Sequence, residues 1–218
     1  MEKITNEILR KQILSMAKSV EKMLKESILD DSLYEDIVNI EQKINKFHIL
    51  IDQLCFDFVN SKERSTEDVR LAMSVMKING DLERIGDLAL NIKRARMKIG
   101  KDCQNMILNT SLLLQMSNET ISMLKNSIDA FVMGDINLAN EVIKRDQVIN
   151  ELNKHITYTY SQYEDLNFDQ AYNIIHMSAR LERIADHSTN IAEDVIFFES
   201  GKDVRHQKQY EYTKEELC

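Results

Sequence analysis

The chain repeats itself, and the repeat constrains the fold more than any other feature. Leu82-Glu83-Arg84-Ile85-Gly86-Asp87, followed by Asn91-Ile92, returns 99 residues later as Leu181-Glu182-Arg183-Ile184-Ala185-Asp186, followed by Asn190-Ile191. There is no gap, and 7 of 11 positions are identical. A weaker match lies upstream: Leu33, Ile37, Glu41, Ile44 and Asn45 align with Leu138, Val142, Asp146, Ile149 and Asn150 at an offset of 105. One supersecondary unit is therefore built twice. The drop in offset implies a shorter connection between the middle and last helices of the second copy.

The unit is helical. Apolar residues recur at steps of three and four almost throughout. With no proline and only 5 glycines, little interrupts a long helix. The pattern predicts six helices, over about 6–29, 32–60, 65–99, 106–133, 135–164 and 167–199. Three starts carry capping signals: Ser32 with Glu35, Ser65 with Asp68, and Asn167 with Gln170. Gly100, Gly134 and Gly201 are natural stops. The expected fold is all-α, with six long helices in two similar three-helix bundles. Residues 1–103 form the first repeat, 104–200 the second and 201–218 a polar tail.

Charge narrows the function. The net charge of −8 repels nucleic acid and anionic lipid at long range. The local basic run Lys93, Arg94, Arg96, Lys98 and Lys101 falls where a helix ends, where cations complement the helix dipole and keep the end solvated. No apolar run approaches the roughly 20 residues of a membrane span. The opening Met1-Glu2-Lys3-Ile4-Thr5-Asn6 lacks the apolar core of a secretory signal. Cys55, Cys103 and Cys218 are scattered, as reduced thiols are, and Cys55 in Leu54-Cys55-Phe56 reads as a small core residue. These features place the chain in the cytoplasm. Met73, Met76, Met116 and Met123 are expected to fill gaps in the core.

The candidate chemistry is acidic. Glu83 and Asp87, and again Glu182 and Asp186, lie four residues apart, on one face of a helix. Like charges there repel by roughly 0.2–0.5 kcal/mol on an exposed helix. Among their near neighbours, Asn79, Gly80, Ser178 and Ala179 carry no charge. Arg84 and Arg183 are placed to relieve the aspartates. Asn91 and Asn190 continue the face by a turn, and Glu41 and Asp146, with Asn45 and Asn150 beside them, are placed to face it from the middle helices. Such an all-oxygen set suits a hard cation, Mg²⁺, Ca²⁺, Mn²⁺ or iron. The competing reading is a solvated acidic face, and periodicity alone leaves the two even. A carboxylate-bridged di-iron enzyme needs Glu-x-x-His; here those positions hold Gly86 and Ala185, and His187 lies off the face of Glu182. His48, His155, His176 and His206 are isolated.

These segments resemble the two signature segments of the PhoU family of phosphate-uptake regulators. Thr189-Asn190-Ile191-Ala192-Glu193 and the lead-in Glu67-Asp68-Val69-Arg70-Leu71 extend the resemblance, which covers about residues 6 to 199. It implies two symmetric three-helix bundles. Some members carry multinuclear iron or zinc clusters, which implicates Glu83, Asp87, Glu182, Asp186, Glu41 and Asp146; magnesium and manganese stay open. The first copy departs from the pattern at Leu88, where a histidine often stands, at Glu41, where aspartate is expected, and at Arg94, which occupies the place of Glu193. The resemblance further implies a negative regulator, not an enzyme, that links a phosphate ABC transporter ATPase to a sensor histidine kinase. A second copy of the chain is an expected partner, nucleic acid is not, and the membrane is reached only through partners. The alternatives are a metal store and a carboxylate–metal enzyme.

Overall fold

The computed structural model describes residues 4–29, 32–61, 64–100, 111–164, 166–202 and 204. They form six helices: α1 Asn6–Leu29, α2 Tyr34–Asn60, α3 Thr66–Ile99, α4 Ser111–Met133, α5 Ile136–Ser161 and α6 Phe168–Ser200. Lys101, Cys103, 106–110 and the tail from 205, with His206 and Cys218, lie outside the described residues.

Two of the three capping signals form. Ser65 Oγ accepts from the Asp68 amide while Asp68 accepts from the Ser65 amide, and Asn167 exchanges the same pair of bonds with Gln170. Ser32 does not cap. Leu33 is the N-cap of α2, in extended backbone, and makes no side-chain cap. The serine stands one residue too early to reach the free amides. Asp135 instead caps α5, accepting from the Asn137 and Leu138 amides. Gly134 and Gly201 close α4 and α6 at φ of 65° and 73°, and Gly100 closes α3 at 85°. Such angles suit glycine because it has no Cβ to clash. Helix α5 stops at Ser161, short of the expected Glu164, where the Gln162 amide turns back to Thr159 O.

The connection in the second copy is not shorter. Residues 61–65 join α2 to α3, and 162–167 join α5 to α6. The lost residues come out of the helices. Helix α5 runs 15 residues past Asp146 where α2 runs 19 past Glu41, and α6 has 14 before Glu182 where α3 has 17 before Glu83.

Helices α1 and α2 pack on α3, α4 and α5 pack on α6, and α3 and α6 pack on each other. The last pair is antiparallel. Gln170, at the start of α6, donates to Ile99 O at the end of α3, and Gly201, at the end of α6, lies against the Arg70 guanidinium near the start of α3. Arg10 adds a clasp, donating to Phe131 O and stacking on the rings of Phe131 and Phe198. Because three helices surround α3, burial continues to its last turn. Lys93 and Arg96 are buried, against the expectation of a solvated end; Arg94 and Lys98 are exposed. Met116 and Met123 fill the core as expected, but Met73 and Met76 are about half exposed, off the side that carries Leu71, Val75 and Ile78. Cys55 is buried, and that burial pushes its thiol up to about 12, which leaves it unreactive at neutral pH.

Two glycines of α3 test this packing. A Cβ on Gly86 would lie 3.3 Å from Ile44 Cδ1, whereas one on Gly80 would meet nothing within 4 Å. Gly86→Leu is expected to cost about 1–3 kcal/mol by overpacking, and Gly80→Ala to gain up to about 1 kcal/mol from helix propensity. Urea denaturation measures both; equal effects at the two sites would contradict the packing described.

Candidate functional site

Each middle helix ties its acid to an asparagine one turn on. In the first copy Asn45 Nδ2 donates to Glu41 Oε1, and in the second Asn150 Nδ2 donates to Asp146 Oδ2 at 2.9 Å. The repeat therefore extends to the side-chain contacts of α2 and α5.

The second copy makes the tighter cluster. Asp186 is exposed at its edge, yet its carboxyl sits above the ordinary carboxylate range. Partial burial is the largest cause, followed by the charges of Asp146 and then Glu182, with His187 and Arg183 pulling the other way. Three carboxylates from α5 and α6 thus share one field. Glu182 Oε2 accepts from Asn153 Nδ2 at 2.8 Å, and Asn153 Oδ1 accepts from Ser178 Oγ at 2.7 Å. This relay fixes Glu182. The sequence shows Ser178 only as an uncharged neighbour and gives no sign of Asn153, because the contact joins two helices. Asp146 Oδ1 is buried without a hydrogen-bond partner.

The first copy is arranged differently. Arg84 Nε lies 3.7 Å from Glu83 and so faces the glutamate, not Asp87. Asn79, the counterpart of Ser178, turns away to bond His48 O and Asp52 Oδ1 on α2. Arg94 donates to Asn91 Oδ1 and to the Tyr34 hydroxyl. Asn190 donates to Asp81 Oδ1 at 3.3 Å, across the junction of α3 and α6. Asn91 and Asn190 are thus engaged at the flanks, with Arg94 and Asp81.

Among the described residues, no three His, Cys, Asp or Glu side chains are already grouped as a metal site. The second-copy donors still fit a cation. They are all oxygen, two of them raise the third, and one buried oxygen lacks a partner. A hard ion suits such donors better than zinc, which favours nitrogen and sulfur. Glu182, Asp186 and Asp146 are the residues that would hold it.

Beside the first copy a cleft of about 600 Å³ opens where α3 crosses α6. Its wall carries Glu83 and two contacts between the bundles, the ion pair of Lys77 with Asp194 at 3.1 Å and the hydrogen bond between His187 and Asp81 at 2.7 Å. The cleft reaches Glu83 but is not lined by Glu182 or Asp186.

Comparison with known proteins matches both halves. The family model described as the PhoU domain matches residues 13–95 and again 113–195. A Burkholderia protein named phosphate-specific transport system accessory protein PhoU homolog is 30% identical, over 95% of this chain and 92% of its own. The Escherichia coli K12 phosphate-specific transport system accessory protein PhoU is 27% identical, over 92% of this chain and 86% of its own. The crystal structure of PhoU from Pseudomonas aeruginosa superposes with a TM-score of 0.80 at 29% identity, covering 90% of this chain and 97% of that one. That of the phosphate transport system regulatory protein PhoU from Streptococcus pneumoniae reaches 0.82 at 23% identity, covering 91% and 97%, and shows likeness of fold.

The cluster has a pH signature. Because the fold raises the pKa of Asp186, its ionised form opposes folding. That opposition is present above the folded pKa and fades as the pH falls and the carboxyl takes up its proton. Asp186→Asn is expected to raise Tm at pH 7, with a gain that shrinks as the pH falls through the raised folded pKa and is gone below the ordinary carboxylate range. A gain that is independent of pH would refute the shared field.

Proposed function

Because the chain belongs to the PhoU family, we propose that it is a negative regulator coupling a phosphate ABC transporter to a sensor histidine kinase. In this reading it restrains phosphate uptake and the starvation response when phosphate is ample. The observation that carries the reading is the match of both halves to one regulatory domain, over nearly the whole of relatives named for the phosphate-specific transport system. An accessory role in phosphate transport is what those relatives support, and that this role is not enzymatic is part of the proposal. The finer assignment is that the transporter's ATPase subunit and the kinase are the partners, and that two copies of the chain act together in the cytoplasm. No described helix is long and apolar enough to cross a membrane. Contact with the membrane then runs through the partners.

The second-copy acids form part of this proposal. Asp146, Glu182 and Asp186 hold a divalent cation, with iron, manganese or magnesium suited to the donors. Bound there, the cation cancels the repulsion on Asp186 and fixes α5 against α6. The first copy is the weaker site, because Arg94 stands in place of a counterpart to Glu193 and holds Asn91.

Two measurements test these points. Deleting the gene and growing the host in ample phosphate is expected to switch on a phosphate-regulon reporter, and the intact gene to silence it again; a reporter that stays silent after deletion rejects the regulatory reading. Mn²⁺ or Fe²⁺ is expected to raise the Tm of the purified chain. Asp146→Ala should abolish the rise, and Asp87→Ala should leave most of it. An equal loss in both variants contradicts the assignment to the second copy.

A further inference from the structure

The outer side of the first half of α6 carries a row of rings. Phe168, Tyr172 and His176 stand one turn apart, with ring centroids 6.2 and 5.6 Å from each other and planes inclined by 21° and 28°. Arg180 ends the row, with Nη2 2.6 Å from His176 Nε2. The row is ~18 Å long at ~1.5 Å per residue. Phe168 is 81% exposed and Tyr172 55%. A hydrogen bond donated by Arg180 needs a ring nitrogen free to accept. The environment agrees: partial burial, Arg180 and Lys98 together hold the imidazole below its ordinary range. Both charges acting on His176 are cations, on a chain whose net charge is −8.

The internal repeat supplies a control. Ninety-nine residues earlier the same register holds Met73, Lys77 and Asp81. There Lys77 pairs with Asp194, and Asp81 hydrogen-bonds His187, so each of the two acids has a partner across the junction. In the second copy His176 and Arg180 take the places of Lys77 and Asp81, and Ala95 takes the place of Asp194. Ala95 and Leu88 stand where the first copy's junction partners are Asp194 and His187, so neither position supplies an acid to Arg180. Exposed stacked aromatics beside arginine are the residue types on which binding energy concentrates at interfaces.

We infer that the stripe Phe168, Tyr172, His176 and Arg180, flanked by Lys98, is a docking face for an acidic segment of a partner protein. That segment carries aromatic or aliphatic side chains between its carboxylates. The carboxylates answer Arg180 and Lys98, and the apolar side chains cover the rings. A membrane fits less well: at about 1 kcal/mol per cation near an anionic surface, this small set works against the net negative charge of the chain. Single-stranded nucleic acid could stack on the rings but needs a long positive groove. The face shares the premise of the adaptor reading that the chain works by protein contact.

The test pans the purified full chain against a random linear-peptide display library, with the Tyr172→Ala/Arg180→Glu double variant for counter-selection. Selected peptides are expected to be rich in Asp or Glu together with aromatic or leucine residues, and to lose affinity as salt rises. Synthetic copies should bind about tenfold or more weakly to Phe168→Ala and to Arg180→Glu, and unchanged to Met73→Ala. Phe168 lies outside the core, and circular dichroism verifies each fold. Peptides without acidic enrichment, or peptides that bind the stripe variants as well as the parent chain, overturn the inference. So does stripe-dependent binding of phosphatidylglycerol vesicles or of a single-stranded oligonucleotide in place of peptides. Stripe-dependent peptides with a reporter that stays silent on gene deletion sink only the regulatory reading. Absence of such peptides with a responding reporter sinks only this face.

Discussion

The molecule depends on burying one helix against its own duplicate. Helices α3 and α6 each serve as the floor of a three-helix bundle and as the partner of the other. That double duty is why buried residues spread round both helices instead of lying in a single stripe. Either bundle alone would leave a long apolar face open to water. The contact is fixed at both ends, by Gln170 on Ile99 O and by Arg70 against Gly201, and in the middle by the Lys77–Asp194 ion pair and the Asp81–His187 hydrogen bond. The acids of α3 and α6 are therefore carried on the most constrained helices in the chain. A site on such elements keeps its geometry better than one on a loop.

Much of this was legible in the residues, because the repeat and the helix period are both local signals. Ser65 with Asp68 and Asn167 with Gln170 could be read directly, since a cap needs only a few neighbouring residues. What failed was the choice of face. Met73 and Met76 look like core by spacing, yet spacing does not say which side of α3 meets its three neighbours. Lys93 and Arg96 look like solvated cations but are covered, because packing continues to the end of α3. The site divides in the same way. Glu182 and Asp186 follow from a four-residue step. The Asn153–Ser178 relay and the tie from Asn190 to Asp81 join different helices, and no periodicity encodes them.

The copies share a backbone plan and differ in their charges. In the second, three carboxylates face one another and Ser178 braces Glu182 through Asn153. In the first, Arg84 lies by Glu83, Arg94 holds Asn91, and Asn79 braces α2 instead. The apolar positions that bury α3 and α6 tolerate little change, because a misfit there costs about 1–3 kcal/mol. Half-exposed polar positions cost far less to alter. Duplication with a fixed core and free flanks therefore yields one architecture with two different surfaces.

Helix α6 shows how far that freedom extends. Glu182 follows Arg180 by two residues, which is roughly 200° round the helix. Between the acidic side and the aromatic side lie Leu181 and Ile184, fully buried. A carboxylate cluster and a cationic ring stripe thus share one rod without sharing a face. Their opposite charges are kept apart by the helix and its packing, so the acids do not neutralise Arg180, and Arg180 does not relieve Asp186 as His187 and Arg183 partly do. Had both sets stood on one face, i,i+4 pairing would have cancelled them into ordinary surface ion pairs worth a few tenths of a kcal/mol. Separation across a buried core keeps the field of the acids apart from that of Arg180, so the proposed cation and the proposed acidic partner would each meet one sign of charge.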